Sequence, residues 1–390
     1  MMLYMVNTIV NENAIRKKVC NPGSKSTQLR FVRRKTLLLF FISVSGLIMT
    51  SSFITKEHSW HSEIKYHELN ALSLETINST VSNFNSDPEF SFIVCADLQS
   101  SPYSKDTLQG IENEIKNTES ETVENPVFCL FNGDMVYDGC RDSYLDFFEQ
   151  ITGYEINTIP LLAAAGNHDV RDDPTNFARF FGPSYYSFNF KSAFFVILNN
   201  SGGSFGSTQE EWLNKTLHSP DAINASYRFV FFHIPLYDPE PDTFHDGGLK
   251  DKTEADRILK ILEDANTTLI VSSHIHGYRT GKWGNTSFVI TGGGGGVLTG
   301  RDNDKDFCHF LKVNVDESGY STAVIQTKTP SFSFAGRWAY NMWYYVRLAF
   351  LFNYHVLITM LFFALLLYSA PCLFESGFPK NPLRKQPASR

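Results

Sequence analysis

The chain has 390 residues, 43% of them hydrophobic, enough for one large domain with appendages and a sizeable buried core. Its net charge of −7 is unevenly spread: residues 1–35 carry +7 and residues 371–390 carry +3, which leaves −17 on residues 36–370. That balance excludes a basic nucleic-acid-binding surface on the central part, and six cysteines without a Cys-x-x-Cys pair argue against a thiolate metal site.

In chain order, residues 1–35 read as a basic tail ending in Arg33-Arg34-Lys35. Residues 36–54 carry no charge and are long enough to span a bilayer. The long basic region before them, and the lack of a small-x-small cleavage pattern after them, favour an uncleaved anchor over a signal peptide. Residues 55–89, rich in His, Glu, Asn and Ser, read as a linker. A layered α/β domain is expected over residues 90–328, because helical and strand patterns alternate there. Leu108, Ile111 and Ile115 mark one helix, and Tyr144, Phe147, Phe148 and Ile151 a second. Ser207-x-x-Glu210 has the form of a capping box opening a third, and Ile258, Ile261 and Leu262 mark a fourth. Strands are expected over residues 194–198, 287–291, 307–315 and 320–325. Cys140 and Cys308 are a candidate disulfide pair outside the cytosol. Residues 329–347 hold Trp338, Tyr340, Trp343, Tyr344 and Tyr345, in the manner of an interfacial belt. Residues 348–370 form a second apolar run, and residues 371–390 a basic tail. With basic residues beside both runs, the expected topology puts both termini in the cytosol and residues 55–340 across a lipid bilayer. Six Asn-x-Ser/Thr sequons, at Asn78, Asn199, Asn214, Asn224, Asn266 and Asn285, are compatible with that.

Five apolar runs each end in oxygen or imidazole side chains. Phe92 to Ala96 leads to Asp97-Leu98-Gln99, and Pro126 to Asn132 leads to Gly133-Asp134. Ile159 to Ala165 leads to Gly166-Asn167-His168-Asp169, Phe229 to Phe232 leads to His233, and Thr268 to Ser273 leads to His274-Ile275-His276. Oxygen and nitrogen donors without sulfur favour Mn, Fe, Zn or Mg. Each cluster alone has a plain alternative: Asp97 and Asp134 as turn or helix caps, the histidines as satisfied core residues. The five in this order carry the argument.

This series resembles the calcineurin-like metallophosphoesterase superfamily, whose motifs run Asp-x-His, Gly-Asp, Gly-Asn-His-Asp/Glu, a lone His and Gly-His-x-His. The resemblance covers about residues 90–326. Two positions depart from it: Gln99 stands where most members have His, and Ser273 where Gly precedes the first His of the last motif. The resemblance implies a four-layer α-β-β-α sandwich, here flanked by two transmembrane helices, and two metal ions. Asp97, Gln99, Asp134 and His276 would hold the first ion. Asp134, Asn167, His233 and His274 would hold the second, with Asp134 bridging. It further implies a hydroxide between the metals as nucleophile, and His168 facing the scissile phosphate to protonate or stabilise the leaving oxygen. Asp169 is the natural partner to orient the His168 ring. Arg171 can meet phosphate oxygens, and His245, with Asp246 and Tyr237, can line the substrate pocket. Tyr137 matches the Gly-Asp-x-x-Tyr spacing of purple acid phosphatases and competes with Gln99 as a ligand; Gln99 is favoured. The run from Gly292 to Gly296 lacks a following Lys-Ser/Thr and reads as a flexible turn. The expected function is a membrane-tethered phosphoesterase acting on phosphomonoesters or phosphodiesters. The competing reading is a non-catalytic scaffold on a degraded phosphoesterase fold.

Overall fold

The structure, a computed structural model, describes residues 68–81, 89–101, 103–116, 125–241, 246–298, 304–329, 342 and 361–365. The chain divides into two compact units. One is Ile64–Tyr345; the other joins Met1–Glu63 to Val346–Arg390, and in it a helical turn at 361–365 is described.

The larger unit is a mixed α/β sandwich of two sheets. The first has the order β11-β10-β1-β2-β3. It comprises β1 (Phe90–Cys95), β2 (Pro126–Asn132), β3 (Leu161–Ala164), β10 (His309–Val315) and β11 (Tyr320–Gln326). The second has the order β4-β5-β6-β7-β9-β8. It comprises β4 (Tyr186–Phe190), β5 (Ala193–Ile197), β6 (Tyr227–Phe231), β7 (Leu269–Ser272), β8 (Tyr278–Trp283) and β9 (Thr286–Thr291). β1, β2 and β3 run parallel, as do β5, β6, β7 and β9, with antiparallel strands at the borders. Parallel strands covered on both faces are apolar throughout, and this explains the near-continuous runs in the sequence. In β1, Phe92 and Val94 face the second sheet among Phe128, Phe195, Phe229 and Phe231. Ile93 and Cys95 face the other way, onto α2 (Ser104–Lys116), α3 (Arg141–Gly153) and α4 (Pro174–Phe181). The outer face of the second sheet packs on α5 (Ser207–Leu217), α6 (Pro220–Asn224) and α7 (Lys252–Asp264) through Leu213, Leu217, Ala222, Ile258 and Leu262.

Part of the expected linker is structured. Helix α1 (Leu69–Val81) lies along the open edge of β3. Ser73 Oγ accepts from Leu161 N at 3.0 Å, Asn70 Oδ1 accepts from Ala163 N at 2.8 Å, and Asn70 Nδ2 donates to Ala163 O at 3.2 Å. An uncovered edge is a template for unwanted pairing, and polar helix side chains close this one. Its hydrogen-bonding role left α1 with little apolar periodicity to read.

Other expectations need correction. Helix α5 starts at Ser207 with Gly206 as N-cap, so the capping box does not form; Glu254 Oε1 of α7 instead accepts from Phe205 N at 2.9 Å and Gly206 N at 3.1 Å. Cys140 and Cys308 are free thiols, so the disulfide does not form. The membrane topology does not stand. The longest helices among the described residues have 13 residues, about 20 Å at 1.5 Å each, against a ~30 Å bilayer core. No helix among the described residues is long and apolar enough to cross a membrane. The expected spans at 36–54 and 348–370 lie outside those residues, apart from 361–365. His245 also lies outside them.

Candidate metal centre

Because β1, β2 and β3, and likewise β6 and β7, run parallel within their sheets, the loops after them leave from one edge of the sandwich. Those loops carry the expected ligands. Four of these residues hold positive φ: Asp97 (60°), Gln99 (48°), Asp134 (53°) and His274 (67°). A left-handed non-glycine residue costs on the order of 1–3 kcal/mol and persists where its surroundings dictate it. Gly133, at φ 93°, meets a further demand, since a Cβ there would lie 2.3 Å from His233 Nδ1.

Two ligand groups form, and Asp134 belongs to both. One is Asp134, His233 and His274; the other is Asp97, Asp134 and His276. In each group the donor atoms lie within 4.8 Å of one another. His276 Nε2 approaches Asp97 Oδ1 at 3.1 Å, and His233 Nε2 approaches Asp134 Oδ2 at 3.4 Å. Asp97 Oδ1, Asn167 Oδ1 and His233 Nε2 are buried without a partner in hydrogen-bonding geometry. Buried polar atoms left unpaired are costly, and those of Asp97 and His233, each inside a ligand group, fit a pair of cations. The histidine rings are oriented for this. Nδ1 of His233 faces the Asn132 carbonyl at 3.0 Å, and Nδ1 of His276 faces the Val297 carbonyl at 2.6 Å. Donation from Nδ1 to a carbonyl leaves Nε2 as the free donor atom, the usual support of a metal-binding imidazole.

Charge tells the same story. Burial raises the Asp134 carboxyl, but the neighbouring His233 charge, with help from His168, holds it below the usual carboxylate range. Burial lowers the His233 imidazole, yet Asp134 beside it pushes it up to about 10. His274 is pushed down to about 3, by burial first and by the neighbouring His233 second. The cluster thus draws positive charge to Asp134: a proton on His233 supplies it here, and a bound cation would take that proton's place, since a ligating imidazole is neutral.

Gln99 Nε2 donates to Asp134 Oδ2 at 3.0 Å and lies 3.4 Å from His276 Nε2. A half-turn of its amide brings Oε1 to the same place. The Tyr137 ring lies 5.2 Å from the His168 ring, with the Arg171 guanidinium 5.4 Å from its centroid. His168 Nε2 is 3.9 Å from Asp134 Oδ2 and 3.0 Å from Arg171 Nη2. The expected contact between Asp169 and the His168 ring is absent. His168 Nδ1 faces the Tyr137 carbonyl at 2.6 Å. The Asp169 carboxylate instead accepts from the backbone N–H of Asp134 (2.7 Å), Gly166 (2.8 Å) and Val136 (3.2 Å). It shapes the bridging loop from beneath, because three convergent N–H groups outcompete an imidazole that already has a carbonyl.

The glycine run is not a free turn. Gly292 to Gly296 are buried, and Gly294 and Gly296 donate to the carbonyls of Ala96 and Asp97 at 2.9 and 2.7 Å. A Cβ at Gly294 would lie 2.1 Å from the Ala96 carbonyl oxygen. Sequence reasoning also missed the buried Arg279, which bonds Glu240 at 2.8 Å and Asp306 at 2.9 Å. Nothing local to Arg279 marks those distant acids as its partners.

A family model described as calcineurin-like phosphoesterase matches residues 90–278. A human serine/threonine-protein phosphatase, CPPED1, is 25% identical over 217 residues, covering 49% of this chain and 68% of that protein. Purple acid phosphatase 21 of Arabidopsis thaliana is 23% identical over 209 residues, covering 49% of this chain and 45% of that protein. Among solved structures, a purple acid phosphatase from yellow lupin superposes with a TM-score of 0.51 at 17% identity, covering 64% of this chain and 55% of that one. The last match speaks to the fold.

Proposed function

We propose that residues 90–278, which match the calcineurin-like phosphoesterase family model, form a phosphoric ester hydrolase that works through two metal ions and acts on phosphomonoesters. The observation that carries this is Asp134, shared by two ligand groups that contain the buried, unpartnered Asp97 Oδ1 and His233 Nε2. Asp97, Gln99, Asp134 and His276 hold one ion; Asp134, Asn167, His233 and His274 hold the other. Such a pair, when bound, supplies an activated water and an electrostatic clamp for in-line displacement at phosphorus. The remaining roles belong to side chains. His168, held through Nδ1 by the Tyr137 carbonyl, presents Nε2 toward the site; once Arg171 turns away, Nε2 can take a proton from solvent and pass it to the leaving oxygen. Arg171, exposed and stacked on Tyr137, turns from His168 to a phosphate oxygen as substrate arrives. Asp169 keeps the loop bearing Asp134 in its left-handed turn.

The monoester preference is supported by the names of the relatives, a protein serine/threonine phosphatase and a purple acid phosphatase. All the ligand positions but Gln99 carry the residue type the resembling family uses, which speaks against a scaffold that has lost its chemistry. The test compares hydrolysis of 4-nitrophenyl phosphate with that of its bis-aryl diester, for the wild type and Asp134→Asn. The expected outcome is faster monoester turnover, abolished in a folded Asp134→Asn variant that has lost metal. Equal metal content and near-normal turnover in Asp134→Asn would sink the proposal.

A further inference from the structure

Asn132 closes β2 and immediately precedes Gly133-Asp134. Its side chain is fully buried. Nδ2 points at the far sheet and donates to Ser273 Oγ at 2.9 Å, to Phe232 O at 3.2 Å and to Val271 O at 3.3 Å. Two protons are shared among three acceptors. Phe232 and Ser273 are the residues just before His233 and His274. The ends of β6 and β7 are tied to each other by Phe232 N to Val271 O (3.2 Å) and Ser273 N to His233 O (2.8 Å). Neither of those bonds reaches the strand that carries Asp134. Asn132 does: its backbone carbonyl meets His233 Nδ1 at 3.0 Å, and its side-chain amide adds the tie to Ser273, 141 positions away. Ser273, which replaces the glycine usual in the resembling family, supplies its shortest bond.

We infer that Asn132 is a positioning residue for the second metal ion: its amide fixes the spacing between Asp134 and the His233–His274 pair, with Ser273 as its partner. The inference rests on reading Asp134, Asn167, His233 and His274 as one ligand set. The other set is fixed by different bonds: Asp97 N to Gly133 O, Gly296 N to Asp97 O, and His276 Nδ1 to Val297 O. Loss of the Asn132 amide therefore weakens one site and spares the other. A general loss of stability would weaken both.

The experiment is Mn²⁺ titration of the metal-free full chain, with free ion and spin-coupled pairs read by electron paramagnetic resonance. The wild type is expected to bind two ions and show the coupled spectrum. In Asn132→Ala the first ion binds as before, and the dissociation constant of the second rises about 10–100-fold, the usual effect of removing a ligand's support. At two equivalents the coupled spectrum gives way to that of single ions. Ser273→Ala removes one hydroxyl and shows a smaller rise in the same constant, which keeps the test decisive if Asn132→Ala folds poorly. Unchanged second-site binding in both variants, or equal weakening of both sites, overturns the inference. A wild-type chain that takes up no Mn²⁺ overturns the two-metal reading itself, and this inference with it.

Discussion

His168 and Asp134 are close neighbours with separate proposed tasks. Asp134 lies in both ligand groups, whereas His168 is oriented by a backbone carbonyl and reaches toward Arg171. His168→Ala is therefore expected to lower kcat by about 10²–10⁴ while metal content stays at the wild-type level. Metal analysis beside steady-state kinetics checks this, and loss of an ion would make His168 a ligand instead. His309 behaves differently. It is buried between Thr291 and the Phe307 carbonyl, and burial pushes its imidazole down to about 4. Below the unfolded value of about 6.5, the unfolded chain takes up a proton that the folded chain refuses until about pH 4. Stability is thus present above pH 6.5 and falls as the pH drops toward 4, by up to about 3 kcal/mol from this group. Urea melts between pH 7 and 4.5 are expected to show a flatter pH dependence for His309→Gln; an unchanged slope would dismiss the assignment.

At the scale of elements, α1 is the part whose role is most open to test. Its Asn70 and Ser73 hydrogen-bond the exposed edge of β3, the strand that leads into Asn167 and His168. Asn70→Ala leaves the Ala163 N–H buried without an acceptor, which costs about 1–3 kcal/mol. The unfolding free energy from urea melts should fall by that amount, through a lower midpoint with the slope of the transition unchanged. A chain cut after residue 88 should aggregate through the bared edge, and a monomeric, equally stable fragment would refute this role. The glycine run shows the same logic at another join: residues without side chains let one loop lie directly on the backbone of Ala96 and Asp97.

For the whole molecule, the centre joins two sheets whose loops would otherwise hold buried acids and orphaned donors against each other. Metal bound to the folded state alone stabilises it by RT ln(1 + [L]/Kd), about 2.7 kcal/mol per site at 100 times Kd. Melting temperature should therefore rise with added Mn²⁺ and fall on chelation, and Asp134→Asn should lose most of that response. Identical melts with and without metal would argue that the buried charges are balanced in another way.

The sequence by itself determined which residue types stand at which strand ends. Five apolar runs followed by Asp, Asn, Gln or His are local patterns, and so are the helical spacings behind α2, α3 and α7. Composition and periodicity read such patterns because each depends on neighbours a few positions apart. The tertiary structure alone decided what those residues meet. It placed Asp169 under backbone amides instead of beside His168, packed Gln99 against Asp134 with Tyr137 tilted against His168, buried the glycine run, and turned part of a stretch read as linker into the cover of β3. It also left no described helix able to carry the expected membrane topology. Asn70 and Ala163 are 93 positions apart, and Asn132 and Ser273 are 141 apart. Contacts of that range arise from how two sheets stack and where their loops emerge, and no local pattern of hydrophobicity or charge records them.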